Sequence, residues 1–222
     1  MTTREKILYE ALNFFSTKGF DPVSVRDIAG AVGIKESSLY NHFKNKQAIF
    51  DAILDAYSDR WGDIFNQVQL TGEDKQFAVD QRTLSMYQNM SREQFAMIAG
   101  VLYDYYMTDE INVKFRRMLT IEQYRSEQLT ALFRRISFEE SLDFQAQLFA
   151  GLMDAGCFVR TDPYMMAMAF FAPIFLIFYK YDQNPESIQA GRTLFLRHIN
   201  HFNQTYGLDS AKPEANHESR NH

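Results

Sequence analysis

Helix starts are written into this chain at short intervals, and no other feature narrows its possible folds as much. Thr2 with Glu5, Ser24 with Asp27, Ser91 with Gln94 and Ser137 with Glu140 each pair a capping oxygen with a side chain three residues on. That partner can return a hydrogen bond to the cap's own amide, so both free N–H groups at a helix start are satisfied. Asp162-Pro163 and Asn184-Pro185 pair a capping side chain with proline at the first helical position, where the missing N–H costs nothing. Gly19, Gly156 and Gly207 read as stops. Between these marks apolar residues recur at helical spacing, as in Ile7, Leu8, Ala11, Leu12 and Phe15, and again in Ile49, Ala52, Ile53, Tyr57, Ile64 and Phe65. No comparable alternating run suggests a strand. The pattern predicts an all-α chain with helices over 2–18, 24–31, 35–43, 45–70, 73–90, 91–107, 109–136, 137–155, 162–182 and 184–206.

Composition agrees, because 20 Phe, 12 Tyr and 10 Met against 10 Gly and 5 Pro suit long helices joined by short connections. The net charge of -5 excludes a uniformly basic coat, so contact with nucleic acid has to come from a local patch. Residues 1–50 supply one: seven Lys and Arg stand there against five Asp and Glu, which leaves the rest of the chain net negative by seven. The single cysteine, Cys157, allows no internal disulfide, and no basic, apolar leader opens the chain, so a cytoplasmic location is expected. The apolar run Met165–Tyr179 contains Pro173 and is shorter than the roughly 20 residues of a membrane-spanning helix, so no membrane partner is expected. The polar segment 207–222 reads as a flexible tail. No nucleophile elbow, phosphate loop or paired catalytic carboxylates occur, so catalytic residues, cofactors and enzyme activity are not expected. His198 and His201 stand three apart with no third ligand at suitable spacing, and no metal site is assigned.

The segment from Ser24 to Phe43 is the most informative. It reads as two short helices broken at Gly33, with Ile28, Val32, Ile34, Leu39 and Phe43 facing inward and Ala29 small enough for a close helix crossing. Its second helix turns Lys35, Glu36, Ser37, Ser38, Tyr40, Asn41 and His42 outward, hydrogen-bonding types on an element short enough for a DNA major groove. Taken alone, such a face suits a solvated helical hairpin equally well.

Ser24, Ile28-Ala29, Gly33, Leu39-Tyr40-Asn41-His42-Phe43 and Lys44-Asn45-Lys46, with Gly19-Phe20 before them and Phe50 and Leu54 after, together resemble the TetR family of repressors over roughly residues 4–60. The resemblance implies a three-helix, helix-turn-helix DNA-binding domain over 1–46 and a helical ligand-sensing and dimerisation domain over 47–206. It further implies a homodimer on a palindromic double-stranded DNA operator, released by a small-molecule effector. By position, Ser24, Tyr40, His42 and Lys46 would grip phosphates, and Arg26, Lys35, Glu36, Ser37, Ser38 and Asn41 would read bases. Glu36 departs from a purely cationic face and would need a cytosine amino group or a lysine as its partner. The helix over 45–70, carrying Trp61, would act as the lever between effector and DNA.

In the body, Leu84, Tyr87, Met90, Phe95, Ile98, Leu102, Tyr105, Met118, Ile121 and Tyr124 form aromatic and methionine stripes at helical spacing. Stripes of this kind serve a packed core as readily as a pocket, and only the resemblance favours the pocket. Ala167, Phe171, Ile174, Phe178, Phe195, Ile199 and Phe202 give the last two helices apolar faces on which the family's dimer interface would fall. A filled core would instead suit a DNA-binding regulator answering to a protein partner, and loss of the outward polar face would suit a helical adaptor or enzyme.

Overall fold

A computed structural model describes residues 1–57 and 79–208. Its helices, in chain order, are α1 (Thr3–Lys18), α2 (Val25–Val32), α3 (Glu36–Tyr40), α4 (Lys46–Tyr57), α5 (Gln81–Asn89), α6 (Arg92–Thr108), α7 (Glu110–Glu122), α8 (Glu127–Arg134), α9 (Glu140–Asp154), α10 (Pro163–Tyr181) and α11 (Pro185–Tyr206). A π-helical turn, Arg135–Glu139, carries α8 into α9. Among the described residues there is no strand, only an isolated antiparallel bridge between Phe158 and Gly207.

The caps operate as the sequence predicts. Thr2, Ser24 and Ser91 form complete capping boxes with Glu5, Asp27 and Gln94. Asp162 and Asn184 accept from Met165 and Ser187 N–H above their prolines. Two expected boundaries move. The helix expected over 109–136 breaks at Glu122, because Ser126 caps a new start by accepting from Leu129 N–H at 3.2 Å. The Thr130 hydroxyl then donates back to Gln123 O at 2.5 Å, which closes the corner. The start expected at Ser137 does not form: the chain stays helical through a wider turn, and Ser137 lies inside it. The second motif helix is also shorter than expected. Past Tyr40, His42 and Phe43 N–H both donate to Leu39 O, which ends α3 in a turn. The remainder of the helices expected over 45–70 and 73–90, Trp61 included, and the tail beyond Leu208 lie outside the described residues.

The packing joins the N-terminal helices to the body. Ile7, Leu12 and Phe15 of α1, Ile28 of α2, Leu39 of α3 and Phe50 of α4 share one buried cluster with Phe115, Met118 and Leu119 of α7 and Leu129 and Phe133 of α8. A second cluster, built on Tyr103, Phe178, Phe195 and Ile199, holds α6, α10 and α11 together. Among the described residues, α10 is the helix long and apolar enough to cross a membrane, with a mean hydropathy of 1.4. Its inner side packs on α9 and α11, and Pro173 interrupts its hydrogen bonding midway. His198 Nε2 sits 2.8 Å from Phe170 O in the turn before that proline and so serves a backbone carbonyl.

The approach of α7 to the α1–α2 turn depends on Gly19. Its φ of 78° favours glycine, and a Cβ there would lie 3.0 Å from Glu122 Oε1 and 3.2 Å from Ile121 Cγ2. We therefore expect Gly19→Ala to destabilise the protein by about 1–3 kcal/mol in urea unfolding. An unchanged midpoint would show that the turn adapts freely.

Candidate nucleic-acid interface and interior cavity

The motif is built around one sharp turn. Ser24 Oγ accepts from Asp27 N–H at 3.1 Å and donates to Asp27 Oδ2 at 2.6 Å, while Ser24 N–H donates to the same carboxylate at 2.9 Å. These bonds, the Ser24 hydroxyl first, hold the Asp27 carboxyl below its ordinary pKa. At the other end of α2, Gly33 adopts φ 77° and ψ 30°, which lets Ile34 N–H reach Ala29 O at 3.0 Å. Leu39, Ile28 and Ala29 are buried beneath the turn. Ser24, Arg26, Lys35, Glu36, Ser37, Tyr40, Asn41 and His42 are exposed around it, with Ser38 half-buried. The side chains expected to face outward in this segment are thus exposed, Ser38 in part.

Lys46 is used differently. Its ammonium donates to Phe20 O at 2.7 Å, Asp21 O at 3.2 Å and Val23 O at 2.6 Å, and lies 4.1 Å from the centre of the Phe20 ring. Burial there pushes its pKa down. The ammonium expected to grip a phosphate is thus a brace for the α1–α2 turn. Glu122 of α7 holds the same turn from the other side, with Oε1 accepting from Phe20 N–H at 2.8 Å. Arg125 sits 3.6 Å from the Phe20 ring centre and donates to Gln47 of α4 at 2.8 Å. Neither Glu122 nor Arg125 was singled out in the sequence, where they look like ordinary surface charges on a helix end.

Behind this assembly the helical body encloses a cavity of about 450 Å³, walled by residues of α4 to α7 and α9 to α11. Tyr87, Met90, Phe95, Ile98 and Leu102 line it as expected. Leu84, Tyr105, Met118, Ile121 and Tyr124 are not among its walls. Leu84 is packed against Gly151, and Met118 is fully buried in the core shared with α1. Ile121 and Tyr124 face solvent at 47% and 85% exposure. Of the stripe expected on α7, only Met118 faces an apolar interior, because the helix ends at Glu122 and Ile121 turns to solvent; periodicity does not say which face of a helix meets a cavity. The cavity face of α7 carries Phe115, Arg116 and Leu119. Burial raises the phenol pKa of Tyr103 to about 12 and pushes those of Tyr87 and Tyr106 higher still, so these phenols are neutral.

The faces expected to meet a partner chain also turn inward. Ala167, Ile174, Phe178, Phe195, Ile199 and Phe202 are buried within the chain itself, and Phe171 is half-buried on the cavity wall. The exposed apolar stripe of α10 is a different one, Met165, Met168, Leu176 and Tyr179, joined by Leu194 of α11. Both sides of α10 are apolar, and the more aromatic side closes the interior.

The architecture is similar to that of known proteins. Residues 7–53 match the sequence model of the bacterial regulatory proteins of the tetR family. Over these residues the chain is similar to the DNA-binding domains of that family. It is 26% identical over 125 residues to the HTH-type transcriptional repressor KstR2 of Rhodococcus jostii (strain RHA1), a match covering 52% of this chain and 60% of that protein. It is 44% identical over 48 residues to IcaR, the HTH-type negative transcriptional regulator of the biofilm operon icaADBC of Staphylococcus aureus (strain Newman), covering 22% of this chain and 26% of that protein. The chain thus spans less than two thirds of the length of these relatives. Among solved structures, a TetR-family regulator from Mesorhizobium loti MAFF303099 superposes with a TM-score of 0.64 at 22% identity, over 93% of this chain and 97% of the other. SmeT in complex with triclosan superposes with a TM-score of 0.64 at 19% identity, over 95% and 94%. These likenesses show a shared helical fold across the body.

The bracing of the α1–α2 turn gives a direct test. Replacing Lys46 by Met leaves three carbonyls without their donor, and we expect a loss of about 1–3 kcal/mol of stability in urea unfolding without DNA. A lysine that served only a phosphate would leave that stability unchanged.

Proposed function

We propose that this chain is a transcription repressor that binds a twofold-symmetric DNA operator as a homodimer and releases it when a small, largely apolar or aromatic molecule fills the cavity. The observation that carries the proposal is the physical link between cavity and DNA-facing turn. α7 lines the cavity with Phe115, Arg116 and Leu119 and, one turn further, grips Phe20 N–H through Glu122. α4 reaches the cavity at Tyr57 and braces the same turn at its other end through Lys46. A ligand that shifts either helix therefore bears on residues 19–24, from which α2 starts. By linkage, it lowers DNA affinity by the factor by which DNA lowers its own. The names of KstR2 and IcaR as repressor and negative regulator, and the triclosan complex of SmeT, support the reading by kinship.

On this reading the exposed face of α2 and α3 enters the major groove, with Ser24, Tyr40 and His42 on the backbone and Arg26, Lys35, Glu36, Ser37, Ser38 and Asn41 toward the bases. Residues 1–46 act as the reading head and 47–206 as sensor and dimer body, working in the cytoplasm. The exposed stripe Met165, Met168, Leu176 and Tyr179 is the surface we assign to the second copy. The cavity weighs against control by a protein partner alone, and the exposed polar face against a role without DNA.

The test is selection from random-sequence DNA by the purified protein at near-physiological salt. We expect a twofold-symmetric site whose half-site centres lie about one helical turn, or a multiple of it, apart. Glu36→Gln should shift base preference while leaving overall affinity within a few-fold, and Lys35→Ala should weaken the selected site. No enrichment by folded, dimeric protein would sink the repressor reading.

A further inference from the structure

One wall of the cavity is charged. Arg116 and Arg117 both pair with Asp182, the residue that ends α10: Arg116 Nη1 at 3.1 Å, and Arg117 Nη2 and Nε at 2.7 and 3.3 Å. Arg117 presents the side edge of its guanidinium, made by Nε–H and Nη2–H, to both carboxylate oxygens. Arg116 uses only its opposite nitrogen. Its own side edge, Nε and Nη2, is buried and has no hydrogen-bond partner. The Arg116 side chain is 11% exposed, stacks 4.6 Å from the centre of the Tyr106 ring, and lines the cavity.

Two guanidiniums against one carboxylate leave a surplus positive charge. Burial works to raise the pKa of Asp182, but the Arg117 hydrogen bonds and both guanidinium charges outweigh it, so the carboxylate is ionised and already shared. Nothing else on the wall answers the surplus: among the described residues the cavity is lined by Arg92 and Arg116 and by no Asp or Glu. A buried N–H edge without an acceptor is costly, and this edge matches a planar, two-oxygen anion. A second unfilled position lies on the cavity lining, where Gln145 Oε1 of α9 is buried without a donor.

We propose that the cavity's ligand is an amphipathic organic anion, an aromatic or aliphatic body carrying a carboxylate or similar oxyanion that takes the free edge of Arg116. The inference rests on the reading of the cavity as an effector site and narrows its occupant to one class. The apolar body lies among Phe144, Phe170 and Phe178, and the headgroup lies at α7, the helix that also holds Phe20.

The test uses two fluorescent probes with the same ring system. N-phenyl-1-naphthylamine is neutral, and 8-anilino-1-naphthalenesulfonate adds an oxyanion. Titrated into the full chain, both should bind and displace each other, the sulfonate at least tenfold more tightly. Arg116→Gln should remove that advantage while leaving the neutral probe within about twofold. Arg116→Lys, which keeps the charge and loses the edge, should remove most of it and carries the test if the Gln variant fails to fold by circular dichroism. Arg117→Gln, which removes the surplus charge and keeps the Arg116 edge, should reduce the sulfonate's advantage by less than the Arg116 variants do and leave the neutral probe unaffected. Equal affinities for the wild-type chain, or equal losses for both probes in the Arg116 variants, would overturn the anion assignment and leave the cavity reading standing. Failure of the wild-type chain to bind either probe would overturn the cavity reading, and this inference with it.

Discussion

A buried hydrogen bond, from Phe20 N–H to the Glu122 carboxylate at 2.8 Å, ties the N-terminal helices to the rest of the molecule. The turn between α1 and α2 bends at Gly19 and leaves its backbone groups without helical partners, and such groups have to be satisfied wherever water is excluded. This chain satisfies them from two directions: α7 supplies a carboxylate for the N–H, and α4 supplies the Lys46 ammonium for three carbonyls. The Phe20 ring, packed against Phe15 and Phe50, carries both the Lys46 and Arg125 cations on its π surface. The head is thereby fixed to two helices by polar contacts with defined geometry. Apolar packing alone would let it slide.

The same two helices reach the cavity, and the proposed function rests on this placement. Arg116 and Glu122 are six residues apart on α7, about 9 Å along the axis at the rise of an α-helix. Close-packed elements move as units and do not deform smoothly, so a change in how α7 meets the cavity wall is passed to its far end. Further ties run from α1 to α7 through Tyr9, Glu110 and Lys114. The interior of the body is largely aromatic, as in the cluster of Phe149, Phe158, Phe170 and Phe202, and a charged group stands against it where Arg116 and Arg117 of α7 meet Asp182.

Much of this was legible in the sequence because caps and turns are local. Ser24 with Asp27 and Gly33 specify α2 without reference to anything distant, and Asp162-Pro163 and Asn184-Pro185 mark the starts of α10 and α11 equally well. The corner at Ser126 escaped notice because its third residue on is Leu129, so the reciprocal half of the capping signature is absent. What depended on long-range packing was not legible. Met118 and Arg116 lie two residues apart and differ entirely in surroundings, and Phe178 and Leu176 divide in the same way between the interior and the outer stripe of α10. Lys46 reads as a phosphate ligand from its place after the motif, and only the folded turn shows three carbonyls converging on it. Asp80, Asp104 and Asp154, which stand among apolar residues in the sequence, turn out to cap α5, pair with Arg192 and pair with Arg160.

The claim at the centre of this account is that the cavity and the α1–α2 turn are mechanically one device. Hydrogen–deuterium exchange followed by mass spectrometry, on the full chain with and without a saturating cavity probe such as N-phenyl-1-naphthylamine, measures it directly, because backbone protection reports how firmly each segment is held. The account predicts altered exchange across residues 19–24 and the C-terminal end of α7 together with the cavity walls. Altered exchange confined to the walls of α6, α9, α10 and α11, with residues 19–24 unchanged in protein shown to bind the probe, would contradict it.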